Sequence, residues 1–114
     1  MNWKTLESES DLETIIKESF LDNNGVAIFK HSTRCSISSV AKSRLVSSWD
    51  FDSEKLPLYY LDLISFRGIS NLISEKFNIE HQSPQILVIK DGLCVYDASH
   101  MSISVRDLHS ELKA

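Results

Sequence analysis

The residues able to do chemistry gather in one decapeptide, Phe29-Lys30-His31-Ser32-Thr33-Arg34-Cys35-Ser36-Ile37-Ser38. An apolar run, Val26-Ala27-Ile28-Phe29, precedes it, and the helical spacing of Ile37, Val40, Ala41 and Leu45 follows it. Cys35 is therefore expected where a buried strand ends and a helix begins. The first N–H groups of a helix are unpaired and carry partial positive charge. A thiol held there loses its proton more readily, because those groups stabilise the thiolate. The N–H groups of Ile37 and Ser38 and the charge of Arg34 would act in that sense. Ser38, one helical turn on, can donate its O–H to the sulfur, but it cannot resolve a mixed disulfide. The competing reading is an inert buried thiol packed as a small apolar side chain, and the polar neighbours Thr33, Arg34 and Ser36 weigh against it.

The other candidates are weaker. Cys94 falls on a hairpin strand and reads as a packing residue rather than a resolving thiol. Arg34 could grip a carboxylate in a fork, or simply be a solvated loop charge. His31, His81, His100 and His109 offer one pair at metal spacing, His31 with Cys35, but a structural zinc takes four ligands and no second pair exists. These histidines read as solvated or capping side chains, although a nearby His31 imidazolium could tune Cys35. No phosphate loop, catalytic carboxylate pair or Ser-His-Asp set can be picked out.

The elements that must hold this thiol follow from spacing. A chain of 114 residues, 42% hydrophobic and 25% charged, is enough for one core and one domain. Residues 3–6 suit a short edge strand. Leu12, Ile15, Ile16 and Phe20 form one helical face, capped by Ser8 or Ser10 and ended by Asn23-Asn24-Gly25. Val26 to Lys30 is a strand, and Ser36 to Trp49 a helix. Leu56 to Ile64 is apolar on both faces, as a central strand is. Phe66, Ile69, Leu72, Ile73 and Phe77 line a third helix. Gln85–Lys90 and Leu93–Tyr96 pair across an Asp91-Gly92 turn, and Ser102 caps a last helix with Val105, Leu108 and Leu112 inside. The expectation is a mixed α/β sheet with helices on both faces, parallel except for the hairpin strand.

The order of elements, Cys35-Ser36-Ile37-Ser38 after an early strand, and Ser83-Pro84 before the hairpin resemble the thioredoxin fold. Its active-site motif is C-x-x-C, or C-x-x-S in monothiol members. The octapeptide from His31 to Ser38, with the Trp3 start, is similar to the bacillithiol-system YtxJ-like proteins, monothiol and bacilliredoxin-like. The resemblance covers nearly the whole chain. It implies a cis Ser83–Pro84 bond facing Cys35, and thiol–disulfide exchange in which Cys35 and Ser38 act while Thr33, Arg34, Ser36, Ile37, Ser83 and Pro84 meet the substrate. The implied partners are a low-molecular-weight thiol, bacillithiol, as co-substrate, and S-thiolated client proteins. No resident cofactor or metal is implied. Two departures bear on this. Ser38 replaces the second cysteine, and Asp97-Ala98-Ser99 stands where glutaredoxins carry a glycine pair, which argues against glutathione. The alternatives are an iron–sulfur cluster carrier of monothiol-glutaredoxin type and a non-catalytic binding module.

A net charge of -4 argues against nucleic acid as a partner. No apolar run approaches the roughly 20 residues of a membrane span. With two cysteines and no visible signal peptide, the expected location is the cytoplasm.

Overall fold

In the computed structural model, residues 3–32 and 36–112 are described, with Ser36 and Ile37 by backbone only. The chain runs β1 (Lys4–Thr5), α1 (Glu9–Glu18), β2 (Val26–His31), α2 (Ser36–Ser48), β3 (Leu58–Asp62), α3 (Arg67–Phe77), β4 (Gln85–Lys90), β5 (Leu93–Ser99), a 3₁₀ turn (His100–Ser102) and α4 (Val105–Leu112). The sheet order is β1-β3-β2-β4-β5. β1 and β2 run parallel to β3, whereas β4 is antiparallel to β2 and β5 to β4.

The antiparallel β4 corrects the expectation that only the hairpin strand reverses. The 78–84 loop after α3 returns the chain to the end of the sheet where β3 finished, so β4 enters from that end. Lys30 pairs with Gln85 in that register, which sets Pro84 level with His31 at the C-terminal end of β2.

The central strands are buried on both faces and alternate between two cores. Ala27, Phe29, Ile86 and Val88 pack against Ala41 and Leu45 of α2 and Leu108 of α4. Val26, Ile28, Leu87 and Ile89 pack against Leu12 and Ile15 of α1 and Ile73 of α3. Helix α1 starts at Ser8, whose hydroxyl accepts from Asp11 N–H at 3.1 Å. It stops at Glu18, with buried Ser19 as its cap. Phe20 is thus outside the helix and 61% exposed, against the expectation that it extends the buried stripe. Ser19 also reaches across to the hairpin. Its carbonyl accepts from Asp91 N–H at 2.9 Å and its hydroxyl from Gly92 N–H at 3.0 Å. That fastens the hairpin turn, where Asp91 (φ 53°) and Gly92 (φ 77°) both take the left-handed backbone of a two-residue turn. Helix α4 is capped by Ser104 rather than Ser102, its hydroxyl accepting from Asp107 N–H at 3.3 Å. Ser102 lies in the preceding 3₁₀ turn.

Candidate active site

The site lies at the C-terminal end of β2, where the strand closes with His31 and Ser32 and α2 opens at Ser36. Thr33, Arg34 and Cys35 bridge these two points in sequence and lie outside the described residues, as do the side chains of Ser36 and Ile37. Sequence order alone puts Cys35 immediately before the first residue of α2. The Ser83–Pro84 peptide bond is cis, as the resemblance implies, and Pro84 is buried at the same end of the sheet. The Pro84 carbonyl accepts from His100 N–H at 3.0 Å, which ties β4 to the turn after β5. Ser83 Oγ is buried and meets no hydrogen-bond partner among the described residues.

From the sequence, Ser38 should point its hydroxyl at the thiol. It is fully buried, and its Oγ accepts from Ser32 N–H at 3.0 Å and lies 2.7 Å from His31 Nδ1. His31 is not solvated, as the sequence suggests, but only 3% exposed. Strand alternation sends it to the α2 side with Ala27 and Phe29. Its ring stacks with Phe29 at 6.0 Å and tilts against Tyr60 at 5.6 Å. Burial pushes its pKa below the usual value, and Lys42 adds to that. The contact with Ser38 and the charge of Asp62 oppose it. Lys42, from α2, sits 5.1 Å from the ring centres of both Trp3 and Tyr60, which places a cation beside the site. An open cleft of about 380 Å³ runs along this flank of α2, lined by His31, Ser39, Lys42, Ser43, Val46 and Ser47.

On the opposite face of β2, Lys30 is fully buried. Its Nζ finds only long contacts: Ser70 O at 3.4 Å, Ser74 Oγ at 3.4 Å and His81 Nδ1 at 3.5 Å. Burial lowers its pKa to about 8. His81 is shifted down as well, by burial first and then by Lys30 and Arg67. Sequence reasoning misses both His31 and Lys30 as buried polar groups. Period-two alternation through a strand apolar on both sides is the available signal, since it leaves no solvent face for either.

Cys94 lies half-buried on β5, its Sγ 3.4 Å from Tyr96 O, and burial raises its pKa. It pairs with Ile89, which pairs with Val26 at the start of β2. Five residue steps of about 3.3 Å separate that level from His31. Cys94 therefore sits toward the opposite end of the sheet from the site, as expected of a packing residue. No group of three or more His, Cys, Asp or Glu that could hold a metal occurs among the described residues. Nor is any helix among them long and apolar enough to cross a membrane.

A mixed five-stranded sheet between helix pairs, with a cis proline beside the strand that leads into α2, defines a thioredoxin-fold protein. A family model for monothiol bacilliredoxin BrxC matches residues 4–108, and the chain belongs to that family. Among solved structures, a suggested oxidoreductase of thioredoxin fold superposes with a TM-score of 0.78 at 29% identity, over 95% of this chain and 91% of that one. Thioredoxin from Trypanosoma brucei brucei gives 0.74 at 10% identity, over 98% and 88%. Malassezia sympodialis thioredoxin gives 0.73 at 13%, over 98% and 89%. The last two are similar in fold alone. Family and fold together assign thiol-based redox chemistry to the chain.

Proposed function

We propose that this protein is a monothiol thiol–disulfide oxidoreductase that removes a low-molecular-weight thiol, bacillithiol, from S-thiolated proteins. The observation that carries the reading is that cis Ser83–Pro84 lies level with the C-terminal end of β2, and in sequence Cys35 stands between that strand end and the first residue of α2. The thiolate of Cys35 attacks the small-thiol sulfur of the mixed disulfide. One S–S bond forms to Cys35, the client cysteine leaves as thiolate, and it takes a proton from water. A second small thiol, as thiolate, then attacks the Cys35 adduct, giving the small-molecule disulfide and restoring Cys35. The two small thiols supply the two electrons that reduce the client.

Each neighbour has a part in this scheme. The N–H groups at the start of α2 and the Arg34 charge stabilise the attacking thiolate. Ser83, before Pro84, offers its backbone N–H and C=O to the extended client, as a strand edge does. Hydroxyls and the Lys42 ammonium in the α2 cleft suit the polar, anionic body of the small thiol. The working compartment is the cytoplasm, where small thiols keep cysteines reduced.

The test is release of the small thiol from a model protein carrying it as a mixed disulfide, with mass spectrometry of the enzyme. Wild type should release it and pass through an adduct on Cys35. Cys35→Ser should reduce the rate to background. If wild type releases nothing and Cys35 titrates like a free cysteine near pH 8.5, the oxidoreductase reading fails and the binding module takes its place.

A further inference from the structure

Lys30, Ser70, Ser74 and His81 form a polar cluster between β2, α3 and the 78–84 loop. Lys30 and Ser70 are fully buried, whereas His81 is exposed at the outer edge. His81 Nδ1 lies 3.2 Å from Ser70 Oγ and 3.5 Å from Lys30 Nζ. An ammonium can only donate hydrogen bonds. Nδ1 must therefore be bare to sit beside it, with the ring hydrogen on Nε2, and the Ser70 hydroxyl then donates to Nδ1. A neutral ring in this way ties the loop to a strand and a helix at once. An imidazolium has no lone pair for either neighbour and sets a second cation against the first.

The charged groups that act on the ring are Lys30 from β2 and Arg67 from α3, both cations. His81 makes no ion pair with a carboxylate among the described residues. Glu80 precedes it on the loop, and the Glu80 carbonyl accepts from Gln85 Nε2 of β4 at 3.1 Å. The two ends of the loop are held independently of the ring. Ile79 N–H donates to Ser74 O at 3.1 Å, and Pro84 O accepts from His100 N–H at 3.0 Å. The stretch between them, residues 80–83, is what His81 fastens.

We propose that His81 is a proton-operated latch, whose neutral ring fastens the 78–84 loop to Lys30 and Ser70 and whose imidazolium turns out into water and releases residues 80–83. Release alters the side of the candidate site formed by Ser83, and it opens a path from solvent to the Lys30 ammonium. The latch does not depend on what Cys35 does. Turned out into water, the ring titrates near its ordinary value of 6.5; in the cluster, burial first and then Lys30 and Arg67 hold it lower. The latched form thus binds fewer protons than the released form. It is favoured above about pH 6.5 and is progressively lost as pH falls below that value.

The test is limited proteolysis of the full chain with an endoproteinase that cuts after glutamate. Cleavage between Glu80 and His81 is followed by mass spectrometry at pH 7.5 and 5.5. A free peptide of residues 76–86 corrects for the protease's own pH profile. Corrected cleavage of wild type should rise about ten-fold at pH 5.5, the factor that a released ring titrating near 6.5 gains over this range. His81→Gln, whose amide oxygen can accept as Nδ1 does but does not titrate, should stay protected at both pH values. His81→Ala should be cleaved quickly at both. In Lys30→Met, which removes the facing cation, the rise should shrink, and NMR titration should find the His81 pKa closer to 6.5 than in wild type. Equal corrected cleavage of wild type at both pH values overturns the proposal, as does an unchanged rise in His81→Gln. Cleavage after Glu75 within α3 that rises in parallel shows general loosening and overturns it too.

Discussion

Lys30 is buried with little to compensate its charge. Its ammonium is fully enclosed, and its three contacts are long, from 3.4 to 3.5 Å, with no carboxylate among them. Hydrogen bonds of full strength lie at about 2.7–3.2 Å, so the charged form is poorly stabilised. The pKa falls from 10.5 to about 8. Between those values the unfolded chain holds a proton that the folded chain has released, so this residue makes stability rise with pH from about 8 to 10.5. Lys30→Met should therefore stabilise the protein by about 1–3 kcal/mol at pH 7. Its advantage should shrink through that window. Urea unfolding of both proteins at a series of pH values checks this, and an advantage independent of pH would refute it.

Elements are decided here by a few backbone positions. Gly25, between α1 and β2, has φ +121°, and a Cβ there would come 2.7 Å from Val88 Cγ1 and 3.0 Å from Ile89 O. The core strand β4 cannot retreat from that contact. Gly25→Ala should cost roughly 2–4 kcal/mol, strain and overpacking together. Gly68, in the first turn of α3, is the opposite case: a methyl group added there would meet nothing within 4 Å, and its φ is not positive. Gly68→Ala should stabilise by about 0.4–1 kcal/mol through reduced freedom of the unfolded chain. Thermal or urea denaturation of the two variants should move in opposite directions.

Across the whole molecule, the sheet sets Cys94 toward the end opposite the start of α2. Cys94 is level with Ile89 and Val26, while Cys35 follows the far end of β2. A disulfide needs Cα atoms within about 7 Å, and the length of β2 alone exceeds that. Oxidation should thus yield small-thiol adducts or intermolecular dimers, with no Cys35–Cys94 bond in peptide maps. Cys94→Ser should leave the fast phase of thiol labelling unchanged, because burial holds the Cys94 thiol in its slow, protonated form. An intramolecular bond in the folded protein would contradict both the topology and the monothiol scheme.

Much of this protein is local in origin and readable as such. The four helical stripes, the Asp91-Gly92 turn and the cysteine between an apolar run and a helix all rest on neighbours a few residues apart, and the periods of 3.6 and 2 report them directly. The monothiol character is written in Ser38. What tertiary structure decided involves partners far apart in sequence: Lys30 with Ser74, Ser19 with the hairpin turn, and β4 antiparallel to β2. Phe20 and Val40 continue apolar stripes in sequence yet are 61% and 48% exposed. Periodicity shows which residues share a face, but not where the helix ends or how far its neighbours reach. His31 is the clearest case. A strand buried on both sides has no polar face to mark the inside, so only the packed sheet shows that its ring lies against Phe29 and reaches the hydroxyl of Ser38.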